Sequence, residues 1–194
     1  LNPAGSNILA ITRDEGPGRL YYRGDLLVYQ PAEQAQAVNK GIAIEREYEL
    51  ASGCQENCTN IHAVKIERQL VPALVRATLT LTVPHDMYNL QVVDYIPAGA
   101  EILNPNLMTS QKGTPSTSTE YDDWHWWFFD PARIYNERVE WHADFLPAGT
   151  YTLNYLFYPV QAGQFQVLPA QAWLMFFPEV EGSSAGALFE IIEE

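Results

Sequence analysis

The sequence predicts an all-β fold, an antiparallel β-sandwich, on three observations. Residues 42–50 (IAIEREYEL) alternate apolar and charged side chains at period two, and Leu79, Leu81 and Val83 alternate with threonines, the pattern of strands buried on one face. Strand-like runs flank a Pro-Ala-Gly turn twice, at 90–107 (LQVVDYIPAGAEILNPNL) and at 145–155 (FLPAGTYTLNY). No segment of roughly ten residues carries the 3.6-residue period of an amphipathic helix, and about ten short strands at this spacing fit two packed sheets.

In chain order, residues 8–12 (ILAIT) are a short strand candidate, followed by a turn at Gly16-Pro17-Gly18. Residues 19–29 (RLYYRGDLLVY) are β-prone through Tyr, Leu and Val, with Gly24-Asp25 suited to a bulge or turn. Residues 31–40 (PAEQAQAVNK) are polar and mark the best internal boundary. Strands are then expected at 42–50, 63–70, 73–83 and 90–95, the last leading through Pro97–Gly99 to a short apolar run at Ile102 and Leu103. Asn104-Pro105-Asn106 ends that run, because the residue before a proline is pushed out of helical geometry. Residues 108–120 (MTSQKGTPSTSTE) read as an exposed loop, and strands at 138–145, 150–158, 164–168 and 187–192 complete the set.

With 194 residues, 47% of them hydrophobic and 12% aromatic, the chain has enough apolar material for a packed core. Its net charge of -13, from 24 acidic and 11 basic residues, argues against nucleic acid or an anionic membrane surface as a partner, since both call for clustered Lys and Arg. No apolar run reaches the roughly 18 residues of a membrane-spanning helix. The first residues, LNPAGSNILAI, have neither an initiator Met nor the basic and apolar regions of a signal peptide, so a piece of a longer protein is expected.

Candidate chemistry is sparse. Cys54 and Cys58, in the polar loop 52–60, are expected to close a small disulfide ring in an oxidising compartment. A zinc site adding His62 would read C-x3-C-x3-H, a spacing that suits a helix and falls short of the usual four ligands, so no metal or other cofactor is expected. Gly182-Ser183-Ser184-Ala185-Gly186 matches G-x-S-x-G on paper, but that nucleophile elbow needs a following helix and a later His; none of the eight residues after Gly186 is His, and a flexible turn is expected instead. The aromatic segment 121–131 (YDDWHWWFFDP) offers Trp124, Trp126 and Trp127 for stacking on sugars, and Asp122, Asp123 and Asp130 as oxygen ligands for calcium. Core packing of alternate rings is the simpler account of the same residues. His142 and Asp144 share a strand face without a further partner for acid–base work.

Several segments, in order, carry a resemblance: GPGRLYYRGDL at 16–26, GIAIEREYEL at 41–50, LQVVDYIPAGAEILNPNL at 90–107 and RVEWHADFLPAGTYTLNYLFYPVQAGQFQVLPAQAWLMFFPEVEGSSAG at 138–186. Together they resemble the C-terminal region of bacterial alpha-2-macroglobulin-like proteins. The resemblance implies a macroglobulin-type β-sandwich of fibronectin- or immunoglobulin-like architecture over residues 39–194. It implies that residues 1–38 are strands returning from a thioester domain and packed on the sandwich. The parent would be an extracytoplasmic protease trap (periplasmic, surface-bound or secreted), and this segment its non-catalytic structural and interaction domain. Its partners would be the thioester and macroglobulin domains of the same chain and, through the full-length protein, target proteases, with no membrane contact of its own. A carbohydrate-binding sandwich using the three tryptophans is the alternative.

Two departures from the family pattern matter. Cys54-Gln55-Glu56-Asn57 resembles the thioester motif Cys-x-Glu-Gln, but Asn57 stands where Gln is needed, so no thioester is expected in this segment. The Met-Tyr pair that sits over the thioester in family members corresponds to Met175 and Phe176, and Phe176 has no hydroxyl. Residues 172–178, read as a loop, hold Trp173, Leu174, Met175, Phe176 and Phe177; strict alternation would bury Trp173, Met175 and Phe177 and leave Phe176 outside.

Overall fold

The structure is a computed structural model that describes residues 8–24, 29–51, 59–66, 73–104 and 128–193. Among these, thirteen strands and one 3-10 turn, Ala32–Gln34, make up the regular structure. The strands are β1 (Val38–Lys40), β2 (Ala43–Leu50), β3 (Ala63–Ile66), β4 (Val75–Val83), β5 (Met87–Tyr95), β6 (Ala100–Ile102), β7 (Arg133–Ile134), β8 (Arg138–Leu146), β9 (Gly149–Pro159), β10 (Gly163–Val167), β11 (Gln171–Leu174), β12 (Phe177–Ser183) and β13 (Ala187–Glu193). They form a six-stranded sheet ordered β1-β12-β11-β5-β8-β7, a four-stranded sheet ordered β2-β4-β9-β6, and a three-stranded sheet ordered β10-β13-β3. All pairings are antiparallel except β13 with β3. The antiparallel β-sandwich read from the sequence is therefore what the chain forms.

Period-two burial builds the core. On β4, Val75, Ala77, Leu79, Leu81 and Val83 point inward, opposite Tyr151, Leu153, Tyr155 and Phe157 of β9. The six-stranded sheet contributes Leu90 and Val92 of β5 and Val139, Trp141 and Ala143 of β8. Three rings close one end: Tyr48 packs edge-on against Phe157 at 5.7 Å and Phe189 at 5.2 Å, and these two meet at 5.8 Å. Such pairs add about 0.5–1.5 kcal/mol each beyond the area they bury.

The two Pro-Ala-Gly turns are held differently. At the first, the Ala100 N–H donates to the Pro97 carbonyl at 3.0 Å, and a Cβ on Gly99 would lie 2.3 Å from the Phe165 ring, so only glycine fits. At the second, the Ala148 N–H donates to Asp86 Oδ1 at 2.9 Å and the Tyr151 hydroxyl donates to the Pro147 carbonyl at 2.7 Å.

Four local expectations are corrected. Residues 8–12 and the described part of 19–29 form no strand; without a partner ladder their β-prone side chains stand exposed, Ile8, Leu9, Tyr21 and Tyr22 among them. The polar stretch 31–40 is no plain linker, since it holds the 3-10 turn and β1, which pairs with β12 as the edge of the six-stranded sheet. Residues 172–178, read as a loop, belong to a hairpin of β11 and β12. Residues 182–186 are not a flexible turn. Ser184 is buried, its Oγ accepting from the Ala170 N–H at 2.9 Å and donating to the Ala185 carbonyl at 3.0 Å. A Cβ on Gly182 would lie 2.1 Å from the Ile42 carbonyl oxygen, and one on Gly186 1.7 Å from that of Ala32; these glycines allow close backbone crossings.

Candidate functional site

The hairpin tip between β11 and β12 exposes three large apolar side chains in a row, Met175, Phe176 and Phe177. Leu174 pairs with Phe177, leaving Met175 and Phe176 as a two-residue turn. Neither residue has positive φ, so the turn is not of the mirror-image kind whose twist matches hairpin strands. The ladder slips immediately behind it: Trp173 pairs with Glu181 while Leu174 pairs with Phe177, so three residues, Pro178, Glu179 and Val180, bulge on β12. The consequence is that alternation breaks down at the tip. Met175 is 52% exposed, Phe176 71% and Phe177 60%, while Trp173 and Leu174 are half-buried. The reading that would bury Met175 and Phe177 is corrected by this geometry, and the apolar ridge is present.

The ridge is continuous with the neighbouring strand. The Met175 N–H donates to the Asn89 carbonyl at 2.9 Å, and Asn89 itself takes a left-handed conformation, φ 54°, that its short amide side chain tolerates. Next to it, Tyr88 is 62% exposed and lies against Phe145 across the β5–β8 ladder, ring centroids 5.1 Å apart. Sequence reasoning missed Tyr88 and Phe145, because period two on β5 and β8 marks them only as outward-facing. The surface offers bulk, a thioether and one phenol; it holds no nucleophile or acid–base pair.

Beneath the sandwich seam lies a polar group that the sequence did not announce. Arg46 of β2 donates to Asp94 Oδ1 of β5 at 2.7 Å and to the Leu168 carbonyl at 2.8 Å. Asp94 also accepts from the Tyr155 hydroxyl at 2.9 Å and the Tyr95 N–H at 3.0 Å. Burial works against the Arg46 charge, but the Asp94 carboxylate together with Tyr48 and Tyr155 more than offsets it and holds the guanidinium above its ordinary value. Burial raises the Asp94 carboxyl against the pull of Arg46. Burial, with Asp94 adding to it, pushes the Tyr155 phenol well up, and burial raises Tyr48 too. The network cross-braces two sheets.

The remaining candidates separate cleanly. His142 Nε2 lies 3.0 Å from Asp144 Oδ1 on the outer face of β8, as a shared strand face predicts. Asp130 is exposed and its N–H donates to the His142 carbonyl at 2.8 Å; Phe128 and Phe129 meet Tyr151 edge-on, which brings this end of the aromatic segment to the core. Trp124, Trp126, Trp127, Asp122, Asp123, Cys54 and Cys58 lie outside the described residues. Among the described residues no group of three or more His, Cys, Asp or Glu side chains could hold a metal ion, and no helix is long and apolar enough to cross a membrane.

Comparison with known proteins places this sandwich. The family model for the bacterial alpha-2-macroglobulin MG10 domain matches residues 41–179. An alpha-2-macroglobulin homolog of Nostoc sp. is 31% identical over 107 residues, covering 55% of this chain and 5% of that protein. Salmonella alpha-2-macroglobulin reacted with methylamine has the same fold over 81% of this chain and 10% of its own, with TM-score 0.59 and 20% identity. A native Escherichia coli alpha-2-macroglobulin fragment running to the C-terminus gives TM-score 0.61 and 20% identity over 80% of this chain and 24% of its own. The Escherichia coli protein activated by porcine elastase gives TM-score 0.62 and 20% identity over 81% and 14%. The chain therefore spans a small fraction of each relative's length. It belongs to the bacterial alpha-2-macroglobulin MG10 domain family, as a macroglobulin domain of an alpha-2-macroglobulin-like protein.

Proposed function

We propose that this domain is a non-catalytic structural and interaction module near the C-terminus of an extracytoplasmic, protease-trapping macroglobulin, and that its β11–β12 tip covers a thioester in a neighbouring domain. In this reading residues 1–38 arrive from the thioester domain and residues 39–194 are the sandwich. The observation that carries it is the exposure of Met175, Phe176 and Phe177 on a hairpin tip, where an isolated domain gains nothing from them. A ridge of this kind marks a contact surface. Excluding water from a reactive acyl bond slows its hydrolysis, and a thioether and two rings do that by bulk. Phe176 brings no hydroxyl; the exposed phenol of Tyr88 is the polar group beside the tip. No observation favours the carbohydrate reading.

The test is thiol release or methylamine incorporation by the full-length parent carrying Met175→Ala and Phe176→Ala, beside a melting curve of this domain. Faster loss of the thioester with an unchanged melt is expected. An unchanged thioester lifetime, or a parent that never forms a thioester, overturns the reading.

A further inference from the structure

We propose that the free edge of β2 is a docking site for a short extended peptide with basic side chains on one face, bound by strand addition. β2 is an edge strand of the four-stranded sheet, paired on one side only, with β4. The direction of its backbone groups follows from two bonds. The Tyr48 carbonyl accepts from the Ile61 N–H at 2.9 Å, on the side away from β4, whereas the Ala51 N–H donates to the Leu74 carbonyl, on the β4 side, at 2.7 Å. Backbone groups alternate along a strand, so those of Ile44 and Arg46 also face away from β4.

The two ends of this free edge are already occupied. At one end Gly182 presses on the Ile42 carbonyl and Gly41 bridges to Glu181. At the other end Thr59 bridges to Glu49. Between them, the N–H and C=O of Ile44 and Arg46 have no backbone partner among the described residues. A cavity of about 290 Å³ opens along this gap, with residues 44–48 on one wall and Asn60, His62 and residues 184–187 on the other. An unpaired edge is a template for another strand, and main-chain bonds to such an edge are a recurrent mode of peptide recognition.

The side chains around the gap select the occupant. Glu45 and Glu47 flank it and are exposed, while the charge of Arg46 is taken up inside by Asp94. The local field is therefore negative, on a chain of net charge -13, and favours Lys or Arg on the peptide's outer face. The far wall, Ser184, Ala185, Gly186 and Ala187, is shaped by small residues and suits Ala or Ser on the inner face. The open window, residues 43–47, is about 17 Å at 3.4 Å per residue, the length of a five-residue strand.

The probe is the peptide Ac-Lys-Ala-Lys-Ala-Lys-amide, titrated into the isotope-labelled 194-residue chain while the backbone amide signals are followed. Saturable shifts centred on the Ile44 and Arg46 amides are expected. A probe N-methylated at its alanines, which lacks the main-chain donors there, is expected to leave them unmoved. Glu45→Gln with Glu47→Gln weakens the unmodified probe by about five-fold, the scale of two exposed charge pairs, and flattens its salt dependence. Unmoved Ile44 and Arg46 amides at saturating millimolar probe overturn the proposal. So do equal shifts from the N-methylated probe, or shifts spread over the acidic surface instead of centred on this edge.

Discussion

Nη1 of Arg46 lies 2.7 Å from Oδ1 of Asp94 with both side chains buried, and this ion pair ties the edge strand of the four-stranded sheet to an interior strand of the six-stranded sheet. Removing one partner leaves the other charge buried without compensation, which costs about 3–5 kcal/mol. Asp94→Ala is therefore expected to lower the unfolding free energy measured by urea titration by that much. Replacing both, Arg46→Met with Asp94→Leu, is expected to lose far less, because no charge remains to be desolvated. A loss below about 1 kcal/mol for Asp94→Ala would show that water reaches the pair.

The buried tyrosines give the domain an alkaline limit. Burial raises the phenols of both Tyr48 and Tyr155 above their ordinary value of 10.0. The unfolded chain then ionises them first, so their contribution is complete below about pH 10 and is lost as pH rises beyond it, by about 1.4 kcal/mol per pH unit for each phenol. Denaturant midpoints measured from pH 9 to 11 are expected to fall across that window. In Tyr155→Phe, less stable at neutral pH for want of the Asp94 bond, the fall is expected to be shallower. A flat profile between pH 10 and 11 contradicts the burial of these hydroxyls.

Gly182 and Gly186 make a third test. Each would drive a Cβ into backbone oxygen, of Ile42 and Ala32 respectively, and backbone gives way less readily than a flexible side chain. Gly182→Ala and Gly186→Ala are each expected to destabilise by about 2 kcal/mol or more, whereas Gly24→Ala, with nothing near its Cβ position, stays within about 0.5 kcal/mol. Equal effects at the three sites would mean that chain entropy, not crowding, governs these glycines.

How much of this was legible depends on whether a neighbour had to be known. Period two exposed β2 and β4 directly, because alternation is set within one strand. The 8–12 and 19–29 runs misled for the complementary reason: β-propensity describes fit to a sheet, and these residues found no ladder in the described structure. β1 was hidden in a polar stretch, since an edge strand of three exposed residues has no apolar face to display. The G-S-S-A-G run looked loose because close backbone crossings and flexible turns use the same residue. Arg46 and Asp94 lie 48 positions apart, so nothing local marks them as a pair. The tip residues were legible as an apolar excess, but their common exposure follows from the β12 bulge, which no composition rule predicts.

The last prediction separates exposure from packing at that tip. Met175 and Phe176 project from a turn whose nearest backbone bond, from the Met175 N–H to the Asn89 carbonyl, does not depend on either side chain. Met175→Ser with Phe176→Ser is therefore expected to leave the melting curve of the 194-residue chain within about 0.5 kcal/mol of the parent. The same change removes two large apolar groups from the surface, so binding of a hydrophobic dye and concentration-dependent self-association should both fall. Leu90, paired with Leu174 directly behind the tip and fully buried, supplies the contrast: Leu90→Ala is expected to lose about 2–5 kcal/mol. If the double serine variant loses as much as Leu90→Ala, the tip is part of the core and its availability for a neighbouring domain is ruled out.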